Sequence, residues 1–372
     1  MKKIVIAVDS FKGSLASAEV AEAAGDAIRT VLPDVTIVKV PIADGGEGTV
    51  DALIAASGGI PVSLTVSNPF MQPVEATYGI LDNETAIIEM AAASGLSLIP
   101  WKEGNVMDTT SYGTGELIVD AIRRGCRHVL LGIGGSATND AGIGMLQALG
   151  FQFLDKDGKE IGKGGKCLQH IVAVRMDSVL PELKSCRFQL AVDVDTPFCG
   201  SEGAVMTFAP QKGATATNLE VLEKGMQHLA SFFNSVGKEI SMIPGSGAGG
   251  GIAGGCLAFL NAELVPGIEM VKQFLRFDEL IEGADLIITG EGKIDQQTLC
   301  GKTPFGVLQS AKRQNIPVIA ITGQLLLSRE EWQSVGFDAV YAINPPEMPL
   351  SEAMKPEKTF GHIFDTVREI FS

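Results

Sequence analysis

Both ends of this chain alternate short apolar runs with stretches of helical spacing, and that alternation limits the possible folds more than any other feature. Residues 4–8 form an apolar run, Val20, Ala24, Ala27, Ile28 and Val31 recur at helical spacing, and a second run covers 35–40. That is the pattern of a βαβ unit. Near the other end the same alternation predicts a strand over 284–289, a helix over 305–314, a strand over 317–322, a helix from Ser328 and a strand over 339–343. Uniformly apolar strands need cover on both faces, so these elements predict a parallel sheet clad by helices. The middle differs. Residues 62–90 read as short strands separated by turns at Asn68-Pro69 and Asp82-Asn83, followed by a helix near 114–124, a strand over 128–133 and a helix near 139–149. The expected fold class is α/β, with two α/β domains: a first built from both chain ends (1–65 and 284–372) and a second inserted over 66–283.

Composition narrows the function classes. A length of 372 residues suits about two domains, and 45% hydrophobic with 20% charged residues indicates neither a disordered chain nor a membrane protein. The net charge of -15 repels nucleic acid and anionic lipid, which argues against both as partners. It does not argue against a nucleotide, which arrives with Mg²⁺ and is held by local groups. Six cysteines without a C-x-x-C pair and four scattered histidines suggest neither a zinc site nor a disulfide framework. The first apolar run meets Asp9 too early for a signal peptide or membrane span, so a cytoplasmic location is expected. Association into a homo-oligomer is compatible with the sequence. The 44 glycines exceed average usage and sit in short runs, as tight turns beside a ligand require.

Seven stretches carry candidate chemistry. Asp9-Ser10-Phe11-Lys12-Gly13-Ser14 falls where a strand gives way to a helix, the edge at which open α/β sheets bind ligands, and a lysine beside glycine and hydroxyls suits a phosphate. The competing reading makes Ser14 or Ser17 a helix cap and Lys12 a solvated charge. Asp44-Gly45-Gly46-Glu47 places two carboxylates three residues apart on pliable backbone, suited to Mg²⁺ or substrate hydroxyls. Residues 109–116 are dense in hydroxyls. Gly134-Gly135-Ser136-Ala137-Thr138-Asn139-Asp140 follows a strand, and Gly132, Gly134 and Ala137 also satisfy a dinucleotide fingerprint, which keeps an NAD-dependent hydroxy-acid dehydrogenase as a rival. Asp193 and Asp195 end an apolar run, Gly245-Ser246-Gly247 opens a glycine-rich stretch over 245–255 that must be a loop or a tightly approached turn, and Glu291, Lys293 and Asp295 lie in a segment that lacks the glycine a P-loop would need at Gln296. A non-catalytic sensor of small carboxylates is the second rival.

Taken together, the stretches resemble the bacterial glycerate kinase family. The family's D-S-F-K-G-S, A-D-G-G-E-G-T, E-M-A-x-A-S-G-L, T-T-S-Y-G-T-G-E, G-G-S-A-T-N-D, P-G-S-G-A-x-G-G and T-G-E-G-x-x-D-x-Q-T blocks begin here at residues 9, 43, 89, 109, 134, 244 and 289, in that order. The sequence departs from the family pattern at Thr196, Gly249 and Lys293. The resemblance implies ATP- and Mg²⁺-dependent phosphorylation of D-glycerate, with 2-phosphoglycerate favoured over 3-phosphoglycerate. It also implies a cleft between two α/β domains, one of them a flavodoxin/Rossmann-like parallel sheet. On that reading Lys12, Asp193 and Asp295 are the catalytic candidates, and Glu291 with Asp295 the metal candidates. Asp9, Ser10, Ser14, Asp44, Gly45, Gly46, Glu47, Ser136, Thr138, Asn139, Gly245, Ser246 and Gly247 are expected around substrate and phosphates. Lys293 and Lys302 stand second to Lys12 as the cation.

Overall fold

The computed structural model of the protein describes residues 1–100 and 105–372; the side chains of Asn105 and Cys300 lie outside the described residues. The chain forms two compact units, one from Met1–Asp44, Asp51–Gly59 and Pro266–Ser372, the other from Gly45–Val50 and Ile60–Val265. Its strands are β1 (Lys3–Val8), β2 (Thr36–Lys39), β3 (Ile60–Ser67), β4 (Pro73–Ile80), β5 (Thr85–Glu89), β6 (His128–Gly132), β7 (Gln152–Leu154), β8 (Ala173–Arg175), β9 (Arg187–Ala191), β10 (Glu263–Val265), β11 (Leu286–Ile294), β12 (Val318–Leu325) and β13 (Ala339–Ala342).

The first unit is a five-stranded sheet in the order β13-β12-β11-β1-β2, parallel throughout. Counted within the unit, this is the flavodoxin-like order 2-1-3-4-5. Ile4, Val5, Ile6, Ala7 and Val8 are all fully buried, as a central parallel strand demands. Ile4, Ile6 and Val8 pack against Val20, Ala24 and Ile28 of helix Ser17–Val31 and against Ile363 and Val367 of helix Pro356–Phe371. Helix Thr303–Arg313 lies against β1, β11 and β12. The helix after β1 starts at Ser17, where the Glu19 carboxylate accepts from the Ala16 N–H at 2.8 Å, and it stops just before Pro33.

One strand differs from expectation in a way that shapes the site. The strand predicted over 284–289 runs on to Ile294, with Glu291 opposite Thr322 and Lys293 opposite Gln324 on β12. Gly290 reads as a turn in sequence but is a packing requirement here, because a Cβ would lie 2.2 Å from the Ile321 carbonyl oxygen.

The second unit carries a six-stranded sheet in the order β10-β9-β6-β5-β4-β3 and a separate β7-β8 pair. β10, β9, β6 and β5 run parallel, while β4 is antiparallel to both β3 and β5. The two expected turns are side-chain driven. Asn68 Oδ1 accepts from the N–H groups of Phe70 and Gln72, and Asp82 Oδ1 from those of Glu84 and Thr85. In the core the Phe259 ring meets Phe151, Phe153 and Phe233 edge-on at 5.4, 5.5 and 5.6 Å. The helix expected near 139–149 is shorter, Ile143–Ala148, because Ala141 and Gly142 adopt φ of 55° and 73° and break the helical path. In the glycine run Gly250 has φ 73°, and a Cβ on it would fall 1.9 Å from the Thr138 carbonyl oxygen; helix Ile252–Phe259 takes over the last part of the loop expected over 245–255. Among the described residues no helix is long and apolar enough to cross a membrane.

Truncating Ile363, fully buried under the first sheet, is expected to cost about 2–5 kcal/mol. In urea unfolding Ile363→Ala should lower the midpoint at unchanged slope; an unchanged midpoint would show that the terminal helix adds nothing to this core.

Candidate active site

In a parallel sheet of this order the connections diverge at the β1/β11 neighbours, and ligands bind beyond the carboxyl ends of those strands. Two carboxylates stand there. Asp9 directly follows β1, and its N–H donates to the Gly290 carbonyl at 2.9 Å; Glu291 is the next residue of β11. Both are nearly enclosed, at 3% and 8% exposure. Asp9 Oδ1 accepts from the Ser10 N–H at 2.6 Å and Oδ2 from the Thr303 hydroxyl at 2.7 Å. Glu291 Oε1 accepts from the Thr298 hydroxyl at 2.6 Å.

Burial dominates the electrostatics of this pair. It pushes the Asp9 carboxyl up to about 6, helped by the charge of Asp44 and opposed by Thr303, Lys12 and Ser10. Glu291 is raised to about 7 by burial, with Thr298 and Lys302 pulling down and Asp9 and Asp44 pushing up. A carboxyl in this range exchanges protons near neutral pH. Lys12 Nζ lies 4.0 Å from Asp44 Oδ2, with its side chain 56% exposed, so solvent weakens that pair. These groups border a cavity of about 330 Å³ in the first unit. Asp9, Ser10, Lys12, Glu291, Lys293 and Lys302 line its polar side, and Phe11, Leu350, Ala353 and Met354 its apolar side.

The other candidates take different positions. Ser14 lines the same cavity but does not cap the helix: Ala16 holds that position, and the Ser14 hydroxyl shares a 2.6 Å hydrogen bond with that of Thr359. Asp295 is not among the lining residues. Its Oδ2 meets Lys293 Nζ at 2.7 Å and its Oδ1 accepts from the Gln297 N–H, which together hold its carboxyl below the ordinary range, Lys293 foremost. Gly45, Gly46, Glu47, Ser136, Thr138, Asn139, Asp193, Gly245, Ser246 and Gly247 all belong to the second unit, where Glu47 and Asp193 are exposed and Ser136, Thr138, Asn139 and Ser246 are buried. The fingerprint at Gly132–Ala137 does not open a helix, since the next one starts at Ile143, so the strand-turn-helix geometry of a dinucleotide site is not formed. Among the described residues no group of three or more His, Cys, Asp or Glu side chains is arranged to hold a metal ion.

Sequence reasoning assigned no role to Thr298, which closes the block that begins at 289, to Thr303 or to Lys212. The first two look like ordinary helix-start hydroxyls, and Lys212 stands in no motif at all.

An open parallel α/β sheet with buried, proton-exchanging carboxylates and lysines at its switch point defines an enzyme that handles a small charged ligand at its strand ends. The comparisons agree. The glycerate kinase family model matches residues 4–372. A glycerate kinase of Halalkalibacterium halodurans is 45% identical over 357 residues, 95% of this chain and 94% of that one. A glycerate 2-kinase of Escherichia coli is 44% identical over 355 residues, 95% and 93% of the two chains. A crystal structure of a protein from Salmonella typhimurium LT2, provisionally named glycerate kinase 2, superposes with a TM-score of 0.91 at 40% identity, covering 100% of this chain and 97% of that one. The chain belongs to the glycerate kinase family.

The sign of the Glu291 shift gives a stability test. A carboxyl raised from 4.5 to about 7 on folding contributes stability that is complete below about pH 4.5 and lost as pH rises through 7. At about 1.4 kcal/mol per unit, the loss by pH 8 is on the order of 3 kcal/mol. Glu291→Gln, which cannot ionise, should therefore gain stability over wild type at pH 8 but not at pH 4.5. Equal differences at both pH values would exclude a raised Glu291.

Proposed function

We propose that this chain transfers the γ-phosphoryl group of ATP to the 2-hydroxyl of D-glycerate, and that the transfer takes place in the cavity beyond β1 and β11. The observation that carries this reading is the pair Asp9 and Glu291: two buried carboxyls poised near neutral pH, beside the lysines that line the same cavity. Phosphoryl transfer asks for positioning and charge stabilisation rather than covalent help. Glu291, whose carboxyl is raised further, takes the proton of the glycerate hydroxyl as the oxygen bonds to phosphorus and the bond to the leaving ADP breaks. Lys12 and Lys302 face the charge that builds on the phosphoryl oxygens. Asp193 is exposed and Asp295 is engaged with Lys293, so neither is assigned the proton.

Mg²⁺ fits the acidic group. Asp44 and Asp9 raise the cost of charging Asp9 and Glu291, a repulsion that a divalent cation would relieve. Asp9 and Asp44 would hold it, in place of the Glu291 and Asp295 pair expected from sequence, and nucleotide oxygens and water would complete the shell. When bound, Mg²⁺ supplies charge neutralisation at the phosphates. The apolar side formed by Phe11, Ala353 and Met354 offers a surface for the purine of ATP. The same reading takes each compact unit as a domain, the second inserted into the first. The support for glycerate and its 2-hydroxyl is the naming of the relatives, one of them a glycerate 2-kinase.

With D-glycerate and MgATP the pure protein should yield ADP and 2-phosphoglycerate, identified by ³¹P NMR. A 3-phosphoglycerate product would overturn the regiochemistry, and NADH formed from NAD⁺ without ATP would overturn the kinase. Lys12→Met should lower kcat about a hundredfold, the usual cost of one group aimed at transition-state charge. Its melting temperature should stay near wild type, because the side chain is more exposed than buried. Near-normal turnover would pass the role to Lys302.

A further inference from the structure

Bonded to the turn after β6 in the second unit is a buried cation that no motif announced. Lys212 ends the short turn Pro210–Lys212 and is 4% exposed. Its Nζ donates to the Ser136 hydroxyl oxygen and to the Thr138 carbonyl oxygen, both at 2.7 Å. An ammonium has three donors. Among the described residues the third has no acceptor and no carboxylate lies within ion-pair distance. Among the described residues the charged group that faces Lys212 is Asp140. Its carboxylate is already occupied by the Thr110 and Ser111 hydroxyls and by the N–H groups of Ser111, Gly142 and Gly144.

The turn that Lys212 bonds has capacity left over. Thr138 and Asn139 are fully buried, yet Thr138 Oγ1 and both polar atoms of the Asn139 amide have no hydrogen-bond partner. Ser136 accepts from Lys212 and keeps its own proton to donate. A buried polar group left unpaired costs about 1–3 kcal/mol, so three such atoms on one turn with a buried lysine are destabilising unless something pairs them. The hydroxyl protons, the amide NH₂ and the ammonium are donors, the complement of an oxyanion, while Asn139 Oδ1 is an acceptor suited to a ligand hydroxyl or a water. Gly134 and Gly135, at the start of the same turn, are exposed, and a Cβ on Gly134 would meet no atom within 4 Å.

We propose that Lys212, Ser136, Thr138 and Asn139 form an oxyanion-binding site that takes either the carboxylate of glycerate or a phosphate of the nucleotide. The inference rests on the proposed function in taking the oxyanion from one of its two substrates. Burial lowers the Lys212 ammonium to about 7, with Asp140 opposing. An arriving anion favours the protonated form, so binding at pH 8 draws a proton from solvent.

Isothermal titration of the full chain with D-glycerate and, separately, with ADP distinguishes the two sources. Wild type should take up protons on binding one of them, seen as an enthalpy that varies with the ionisation heat of the buffer. Lys212→Met should weaken that ligand about tenfold to a hundredfold, the loss expected for a hydrogen bond to a charged group, and abolish the proton uptake. Lys212→Arg should retain part of the affinity without the proton uptake. Should Lys212→Met fail to fold, Thr138→Val decides. It removes the unpaired hydroxyl at constant shape, so it should raise or preserve the melting temperature while weakening the same ligand. If Thr138→Val binds both ligands as wild type does, the hydroxyl is satisfied by water and the site is refuted. Normal glycerate turnover with that outcome would leave the kinase reading intact; Lys212-dependent ADP binding without any turnover would do the reverse.

Discussion

The first unit depends on the pairing of β1 with β11. Five rungs, from Ile4 opposite Leu286 to Val8 opposite Gly290, join segments more than 270 residues apart in the chain. Closing a loop of that length has an entropic cost that grows slowly with its length, so a long intervening segment is tolerated provided the strands bury enough apolar surface. They do, since Ile4, Ile6, Val8 and Ile288 are buried under two helices, one from each chain end. The pairing also sets the chemistry. It brings the residue after β1 beside the middle of β11, which is how Asp9 and Glu291 come to share one enclosed edge.

Two carboxylates in a low-dielectric edge would be expected to destabilise the fold, and the surrounding hydroxyls and lysines set the extent. Thr303 and Ser10 pair both oxygens of Asp9, and Thr298 pairs Glu291, so neither acid is left without donors. Lys12 and Lys302 pull the two downwards but are too exposed or too distant to neutralise them. What remains is a pair held near the neutral range, which suits proton transfer better than structural stability.

The second unit uses glycine differently. The backbone of Gly250 comes so close to the Thr138 carbonyl that no side chain fits, and the turn packed there keeps Thr138 Oγ1 and the Asn139 amide unpaired. The glycine-rich stretch, legible in sequence as a loop or a tightly approached turn, is closely packed here.

The elements at the chain ends, the turns at Asn68 and Asp82, and the placement of Asp9 and Lys12 just after a strand were determined by the sequence alone, because apolar periodicity, Asx turns and motif order are local properties. The run of β11 through Glu291 to Ile294 was not legible, since Gly290 serves a cross-strand approach to Ile321 that no neighbour in sequence reveals. The partnership of Ser14 with Thr359, the commitment of Asp295 to Lys293 and the short helix after Asn139 were likewise decided by packing. Lys212 is the clearest case. In sequence it is one lysine among 29 cationic residues, and only the tertiary structure, by enclosing it against Ser136 and Thr138 some seventy residues earlier, makes its charge consequential, because the energy of a charge depends on the water and dipoles around it rather than on its neighbours along the chain.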